Sequence, residues 1–477
     1  MRFIHLLFFL LYGMVSILNH YFLRSAGLDY GLSNQALYLY AHAKSPMVTM
    51  LLGEQQVYHY MGLHVSIWVP LLSQFYWIFG SYTLLIFQNI FLIFGAVGLG
   101  KTAALFKYNS IEQTLVQIHY YVFFGIYAAL ANDYHDNVIA ASFLPWLIFG
   151  YLKPNKPIFW IAFFAMLFSK ENISIWLIAI AFGLIILRIE KDRFQKFLPI
   201  WMIAISVIWF ITCSYWIMPH FSHTGKFEQL NRFSHLGKSL PEIVKHVFSN
   251  PLKMLSMFFK SHVSPDAEEV IKQEFLLALL VSGAWLCILR PAFLVMALPL
   301  LMQKLWNKET AFWGVTYHYQ VEFAALISLA LIIALKAVSP KYRVWLIAII
   351  CSCALVQTVT LIQKRMAFFE PKKENLFDPN HYKPEINTHK VRAFLTQIDE
   401  KEKVCAQANF LPHLANREEA YHFPYFEKAN LIIMSKNAGS YYPCSPEKGM
   451  HLLDSLKDSK GWEIIPNPNE LIILRRK

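Results

Sequence analysis

The stretch IFWIAFFAMLFSKENISIWLIAIAFGLIIL, residues 158–187, decides the fold of this chain because two apolar runs flank one polar step. The runs Ile158–Phe168 and Ile173–Leu187 carry no charged side chain, whereas Lys170 and Glu171 stand between them. A helix needs about 20 mostly apolar residues to cross a bilayer, and fewer suffice where a loop dips toward it. The stretch therefore predicts a hairpin of two membrane helices with its turn at SKEN.

The whole chain has the composition of a protein dissolved in lipid. Of its 477 residues, 56% are hydrophobic and 16% are charged, and the mean hydropathy is +0.38. Soluble domains carry roughly 25% charged residues, so this deficit excludes an ordinary soluble fold. The net charge of +12 does not indicate nucleic-acid binding, because much of the excess lies in short loops where the positive-inside rule explains it. We therefore expect the bilayer, and no nucleic acid, among the partners.

Apolar segments recur as far as residue 362 and predict an α-helical polytopic membrane protein. A signal peptide is the alternative for the first segment, but its apolar run is long and no small-x-small cleavage site follows. Residues 66–79 (SIWVPLLSQFYWIF) are short, aromatic and interrupted by proline, which favours an interfacial helix over a further span. We predict eleven spans, at about 3–22, 81–100, 112–131, 138–152, 157–169, 172–189, 197–218, 275–290, 292–308, 319–337 and 342–362.

The sequence divides into a transmembrane domain, 1–362, and a soluble tail, 363–477. Short β-branched runs separated by Pro, Asn and Gly predict that the tail is a small α/β domain. Cys405 and Cys444 lie in it, and an extracytoplasmic tail would allow them to form a disulfide. The predicted elements of the tail are strands at 403–408, 429–434 and 470–475 and a helix at 388–400.

Two large loops interrupt the transmembrane domain, at 23–80 and 219–274. In the second loop, residues 241–260 are amphipathic and broken by Pro251, so we expect them to lie on the membrane surface. Both loops fall on the extracytoplasmic side once the chain is oriented by its basic residues. The first loop carries interfacial helices.

Basic residues orient the chain, because short cytoplasmic loops are enriched in lysine and arginine. One alternating path places nearly all of the basic turns in the cytoplasm, with the N-terminus inside and the tail outside. Lys304 and Lys308 are the exceptions, since they fall on the outer side. The basic turns that define this path lie at 101–107, 153–156, 188–196, 290 and 336–343.

Four polar clusters, distant in sequence, fall on the outer face in this topology. Ionisable groups at a bilayer boundary are costly and tend to face a cavity or a partner. The alternative for each cluster is a solvated turn between helices, in which Asn172 caps a helix. The clusters are Asp29, Gln35 and His64 in the first loop; Asp133, His135, Asp136 and Asn137 in NDYHDN; Lys170 and Glu171 in SKEN; and His318 with Glu322 near TYHYQ.

These residue types suit transfer chemistry at a membrane surface. A carboxylate there can act as general base toward an acceptor hydroxyl or amide. Several carboxylates with an imidazole can hold a divalent cation such as Mg²⁺ or Mn²⁺, which would neutralise a departing phosphate. Lysine or histidine can pair directly with the phosphate, and apolar walls can take an isoprenoid chain. The spacing D-x-H-D at 133–136 is not a diagnostic metal motif.

Several motifs resemble the family of bacterial membrane proteins known as domain of unknown function 2079. The resemblance spans nearly the whole chain and departs from the family in two places: YHDN stands where Phe-His-Pro-Glu is common, and His-Val-Ser where His-Phe-Ser is common. That family is placed in the GT-C superfamily of membrane glycosyltransferases, which typically use polyprenyl-phosphate sugars. The motifs are LDYGLSNQALY (28–38), LHVSIWVPLL (63–72), NDYHDN (132–137), FSKEN (168–172), TYHYQVEFAAL (316–326) and VCAQANFLPHLANREEAYHFP (404–424).

The resemblance implies a GT-C-like fold and a site on the outer face of the bacterial inner membrane. A sugar would pass from a polyprenyl phosphate to an acceptor that the sequence does not identify. Asp29 corresponds to the usual acidic catalytic position of the superfamily. The remaining predicted residues are His64, Gln35, His135, Lys170 and His318 for substrate or phosphate, and Asp133, Asp136 and Glu171 for a metal.

Two other functions fit the same sequence. A transporter or lipid-carrier flippase would show inverted repeats or broken helices near the bilayer midplane, and neither is clear. A non-enzymatic scaffold that presents the tail would tolerate changes to the loop acids but not to the tail. Within the tail, His413, Arg417 and Glu418 are polar enough for a site, although we interpret them as a solvated helix face.

Overall fold

A computed structural model describes residues 2–53, 57–187, 193–263, 269–363, 375–435, 441–467 and 470–477. Arg188 and Lys191, which contribute to the predicted orientation, lie outside the described residues. The described chain is a bundle of apolar helices followed by a mixed sheet.

Helices occupy most of the chain up to residue 363 because apolar runs in lipid must satisfy their backbone hydrogen bonds internally. π-helical turns lie at Gly27–Gly31, Cys213–Ile217 and Leu280–Ala284. The α-helices are α1 (Arg2–Tyr21), α2 (Leu32–Ala41), α3 (Tyr60–Leu63), α4 (Trp68–Leu72), α5 (Tyr76–Phe79), α6 (Thr83–Leu105), α7 (Ser110–Tyr121), α8 (Phe124–Ala131), α9 (Asp136–Leu152), α10 (Lys156–Leu167), α11 (Ile173–Leu187), α12 (Arg193–Thr212), α13 (Met218–Phe221), α14 (Leu240–Ser249), α15 (Pro251–Ser256), α16 (Glu269–Leu279), α17 (Trp285–Leu289), α18 (Pro291–Leu305), α19 (Val321–Leu335), α20 (Pro340–Gln363), α21 (Thr388–Leu395) and α22 (Pro446–Lys457).

Six helical stretches of the described chain are long and apolar enough to cross a bilayer. The pair α7 and α8, bent by 43°, makes a seventh if it counts as one span. Helices α9, α10, α11 and α18 are apolar but shorter. Helices therefore lie at all eleven predicted places, while eleven crossings remain a prediction. The six stretches are Arg2–Tyr21, Trp68–Leu105, Gln195–Phe221, Val270–Leu289, His318–Leu335 and Pro340–Gln363.

Small residues let the central helices approach closely, as is usual where lipid gives no hydrophobic drive for association. A Cβ on Gly95 of α6 would lie 3.1 Å from Ser142 Cα of α9. One turn on, a Cβ on Gly98 would lie 2.9 Å from the Trp146 ring. On the side predicted to be cytoplasmic, Arg343 of α20 donates to both carboxylate oxygens of Glu112, at 2.7 and 3.0 Å. These contacts hold α6, α7, α9 and α20 as one bundle.

The first loop consists mainly of short helices and is not an irregular solvent-exposed loop. Its π-helical turn Gly27–Gly31 leads into α2, and the two-residue strands β1 (Met47–Val48) and β2 (Tyr58–His59) pair antiparallel. Helices α4 and α5 then expose Leu71, Trp77 and Ile78. Exposed apolar side chains beside a membrane bundle suit contact with lipid, and the interfacial position of 66–79 stays a prediction.

The second loop also carries the amphipathic segment, which the structure divides where the sequence predicted. Helix α14 ends at Ser249, and Pro251 is the first residue of α15. Phe248 and Leu252 are 80% and 81% exposed, which water would disfavour but a lipid surface would accept. The buried Lys272 ammonium fixes the loop to the bundle by donating to the Met257 and Leu305 carbonyls.

The tail contains a five-stranded mixed sheet of order β4-β3-β5-β7-β6. Strands β3 (Val404–Ala406), β5 (Leu431–Ser435) and β7 (Leu471–Arg476) lie where three strands were predicted. The sequence analysis missed β4 (Ala420–His422), β6 (Trp462–Ile464) and α22, which are short or polar. Helix α21 begins at the predicted residue but ends at Leu395. Cys405 and Cys444 pack in one apolar cluster as free thiols.

The tail docks onto the first loop, so one apolar core runs from the bundle into the sheet. Asn34 Nδ2 donates to the Pro412 carbonyl at 2.9 Å, and the His20 ring stacks on the His413 ring at 4.1 Å. A Cβ on Gly27 would lie 2.7 Å from Leu411, so only glycine allows this approach. The interpretation of 413–418 as a solvated face is wrong for Arg417, which is 1% exposed.

Candidate functional site

The turn at SKEN is held by the first loop. Glu171 is buried, and its Oε1 lies 3.2 Å from His64 Nδ1. Its Oε2 accepts from the Val65 backbone N–H at 3.2 Å. The Ile67 N–H adds a bond to the Phe168 carbonyl at 3.0 Å. His64 and Glu171, predicted as separate site residues, are therefore direct partners.

The NDYHDN turn joins the same network through a serine. Ser66 Oγ donates to Asp136 Oδ1 at 2.7 Å, and Tyr134 Oη donates to the same oxygen at 2.6 Å. Asp136 stands in the first turn of α9, where a carboxylate favours the helix dipole. The two turns and residues 64–66 of the first loop thus form one polar layer at the ends of α9 and α11.

Two predicted histidines stack on each other beside this layer. The ring centroids of His135 and His318 lie 3.3 Å apart, with planes at 19°. His135 Nε2 bonds the Asn132 carbonyl at 2.7 Å, and Asn132 Nδ2 donates to the Thr316 carbonyl at 2.7 Å. Asp133 faces elsewhere, since its Oδ2 accepts from the Ala26 N–H at 2.9 Å.

Burial and local charge set the protonation of the turn residues. Burial and the Lys170 ammonium lower the pKa of His64, and burial lowers the pKa of His135 to about 3. Burial alone would raise the pKa of Glu171, but His64 and Lys170 lower it to about 2. Burial lowers the pKa of Lys170. Near neutral pH the turn therefore holds a carboxylate and neutral imidazoles.

A cavity of about 440 Å³ opens beside the SKEN turn. Its polar floor includes Lys170, Glu171 and Asn172, followed by Asn137 of α9 and Glu322 of α19. Its walls come from α14, the end of α18 and the 3₁₀ turns Glu228–Phe233, Thr310–Phe312 and His318–Gln320. They are apolar and include Leu236, Ile243, Val247, Phe248, Leu300 and Met302.

Three cations line this cavity, and they differ in their partners. Lys304, 2% exposed, donates to the Gly314 carbonyl at 2.7 Å, so its ammonium is held inside the protein. Arg232 lies over the Phe312 ring at 4.7 Å and 3.9 Å from a Glu309 oxygen. Within the described chain, Lys170 is half-buried and its ammonium makes no hydrogen bond or ion pair. The Lys170 ammonium is therefore free to bind an anion.

Asp29 does not line the cavity but stands close to its rim. Its side chain is exposed in the turn Gly27–Gly31, and it is within electrostatic range of Tyr317 and Tyr319. Burial, then Asp29 and Tyr442, raise the pKa of Tyr317. Because Tyr319 lines the cavity, Asp29 lies near the same cavity.

Gln35 is not brought to this region. Its Nε2 donates to Thr49 Oγ1 at 3.0 Å and to the Glu418 carbonyl at 3.0 Å, and its Oε1 accepts from the Thr49 N–H. The amide is fully engaged at the interface with the tail. Gln35 therefore positions the tail and is not available to a phosphate.

The three carboxylates predicted to bind a metal do not converge. Asp133 accepts from Ala26, Asp136 from Ser66 and Tyr134, and Glu171 from Val65 and His64. Across the described ranges, no three His, Cys, Asp or Glu side chains are grouped as metal ligands. The donor set does not fit a divalent cation, so we derive no metal-dependent step.

The sequence analysis did not single out Arg232. It named Asn137 and Glu322 in polar clusters but did not assign them a role in the site. Arg232 lies in a loop with no motif, so no local pattern could have indicated it. Asn137 and Glu322 could have been found, because polar side chains in the first turn of an apolar helix are costly without a role.

The crystal structure of apo ArnT from Cupriavidus metallidurans is similar over 94% of this chain and 93% of that one, with 10% identity and a TM-score of 0.47. Those values are too low to transfer fold or activity. The search of curated proteins gave no significant match. Residues 19–473 match the family described as "Predicted membrane protein (DUF2079)", which confirms the resemblance. The chain therefore belongs to the DUF2079 family of predicted membrane proteins.

Proposed function

We propose that this protein is a membrane glycosyltransferase that moves a sugar from a polyprenyl phosphate to an acceptor on the outer face of the bacterial inner membrane. The cavity beside SKEN carries the proposal, because it combines an unpaired cation with apolar walls. A ligand with an anionic head and a hydrocarbon chain matches both halves. The N-terminus lies in the cytoplasm and the tail outside.

Each side chain has a defined part in the proposed reaction. Lys170 and Arg232 bind the phosphate of the donor, while the prenyl chain lies along α14 toward the bilayer. The hydroxyl oxygen of the acceptor attacks the anomeric carbon of the donor sugar, and Asp29 accepts the proton that this hydroxyl loses. The bond from that carbon to the phosphate oxygen breaks, and polyprenyl phosphate leaves with its charge stabilised by Lys170. Glu171 holds the first loop against the turn.

The test uses the full chain in lipid nanodiscs. The donors are decaprenyl phosphate monosaccharides with a radiolabel in the sugar, and the acceptors are supplied by an extract of envelope glycans. We expect the label to leave the lipid fraction, and Asp29→Asn to slow this by about 10²–10⁴-fold, the usual contribution of a general base. Glu463→Gln, an exposed acid on β6, is the matched control and should behave as wild type.

Two results would reject the proposal. If wild-type protein does not bind decaprenyl phosphate, the cavity does not serve a lipid-linked donor. If the lipid crosses vesicle bilayers with its sugar intact and no transfer occurs, the protein is a flippase. Full activity of Asp29→Asn would reject the role of Asp29 alone.

A further inference from the structure

A buried pair on the cavity floor has no part in the proposed reaction. Asn137 Nδ2 donates to Glu322 Oε1 at 2.9 Å, joining the first turns of α9 and α19 across 185 residues of sequence. The two residues are 5% and 6% exposed, and both line the cavity. The pair is therefore enclosed by helices, with one side toward the cavity.

Each member of the pair keeps one oxygen without a partner. Glu322 Oε2 and Asn137 Oδ1 are buried, and within the described chain neither accepts a hydrogen bond. Leaving a buried acceptor unsatisfied costs about 1–3 kcal/mol, so two such atoms on one hydrogen-bonded pair indicate a missing donor. A ligand that satisfies them must present two hydrogen-bond donors close together.

Charge around the pair divides the cavity into two parts. Lys170 and Lys304 are within electrostatic range of the Glu322 carboxyl group. The Lys304 ammonium is already bonded to Gly314 and Gln320, whereas Lys170 is not. An anionic group is therefore drawn to Lys170, and the groups that donate hydrogen bonds are drawn to the pair.

We infer that Asn137 and Glu322 bind a vicinal diol, two hydroxyl groups on neighbouring ring carbons, in the sugar of the donor lipid. This inference rests on the proposed function, since it assigns the sugar-binding part of the same cavity. Two hydroxyls supply the two missing donors, and the carboxylate makes one of these bonds charge-assisted. The pair then selects among donor sugars by the placement of their hydroxyl groups.

The experiment compares lipids with and without a sugar. The full chain in nanodiscs is titrated with decaprenyl phosphate and with the decaprenyl phosphate derivatives of glucose, mannose, galactose and arabinose. In wild type we expect at least one sugar to tighten binding relative to decaprenyl phosphate. Glu322→Gln should weaken that sugar-dependent gain, taken as the ratio of the two affinities measured on the same variant, by about tenfold, the loss of one charge-assisted bond. Asn137→Ser is the second variant, and Glu242→Gln, exposed on α14, is the control.

The outcomes separate this inference from the function on which it rests. No binding of any lipid by wild type overturns the proposed function. Binding of decaprenyl phosphate with no gain from any of the four sugars overturns the diol site alone. A gain that survives both variants overturns it as well. If both variants lose affinity for decaprenyl phosphate and for its sugar derivatives by the same factor, the pair maintains the whole cavity and the diol assignment is wrong.

Discussion

Replacing Lys170 by glutamine removes the unpaired cation of the cavity without breaking a hydrogen bond within the described protein. Its main effect should therefore appear in ligand binding. Because Lys170 also stabilises the buried Glu171 carboxylate, denaturation in detergent measures the accompanying loss of stability separately. A charge-assisted hydrogen bond contributes about 1.5–3 kcal/mol, which corresponds to a dissociation constant about 10- to 150-fold weaker for decaprenyl phosphate. Lys245→Gln, on the exposed face of α14, changes the net charge equally and should bind as wild type.

The pH dependence of binding gives a second measure of the same residue. Burial lowers the pKa of Lys170, so its proton is lost at a lower pH than the ordinary lysine value of about 10.4. Phosphate binding requires the ammonium, so affinity should be full below the lowered pKa and fall as pH rises through it. Lys170→Arg should retain binding across this range, because arginine stays charged.

Titration of nanodisc-embedded protein with decaprenyl phosphate at pH 7, 8, 9 and 10 measures both effects. The lipid phosphate does not titrate in this range, since its second pKa is about 6. Unchanged affinity of Lys170→Gln at pH 7 would show that the phosphate binds elsewhere. An identical decline with pH in wild type and in Lys170→Arg would assign the titration to another group.

Three further predictions concern stability and the membrane surface. Arg343→Leu leaves the Glu112 carboxylate buried without its cation and should lower the unfolding free energy by about 3–5 kcal/mol, measured by denaturation in detergent. Replacing both residues by apolar ones should recover most of this loss. If the double variant shows no recovery, the ion-pair argument is contradicted. Gly27→Ala should weaken the contact between the tail and the first loop by about 1–3 kcal/mol, which should appear as faster proteolysis between the helical bundle and the sheet. Gly461→Ala, with open space around it, is the control. Equal rates of proteolysis in the two variants would refute the contact. Leu252→Glu should reduce labelling of its loop by a lipid-borne carbene probe, and unchanged labelling would place that loop in water.

The helices were predictable because their cause is local. An apolar run such as 173–187 must form a helix wherever lipid is the solvent, whatever packs beside it. The polar step at SKEN and the break at Pro251 are equally local, since each interrupts such a run. These features depend on a few neighbouring residues, so the sequence alone contains them.

The positions of polar side chains depended on contacts distant in sequence. Gln35 and His64 occupy the same loop and look alike as site candidates, yet one binds the tail and the other binds Glu171. Arg417 looks like a surface residue, but it is buried and donates to the Asp399 and Glu402 carbonyls. No periodicity within the tail indicates that a membrane loop covers it. The sequence therefore predicted the polar turns SKEN and NDYHDN as parts of the site, but it did not predict the cavity beside them.

The docking of the tail has a consequence for biosynthesis. The amides of Asn34 and Gln35 leave the ribosome early, but their carbonyl partners at 412, 417 and 418 follow 378 to 383 residues later. At about 5–20 residues per second, that delay is roughly 20 to 75 s. During this interval the loop that carries Asp29 lacks its partner surface. The nascent protein therefore completes the contact between the first loop and the tail only after translation has passed residue 418, and chains that stall earlier expose the first loop without its partner.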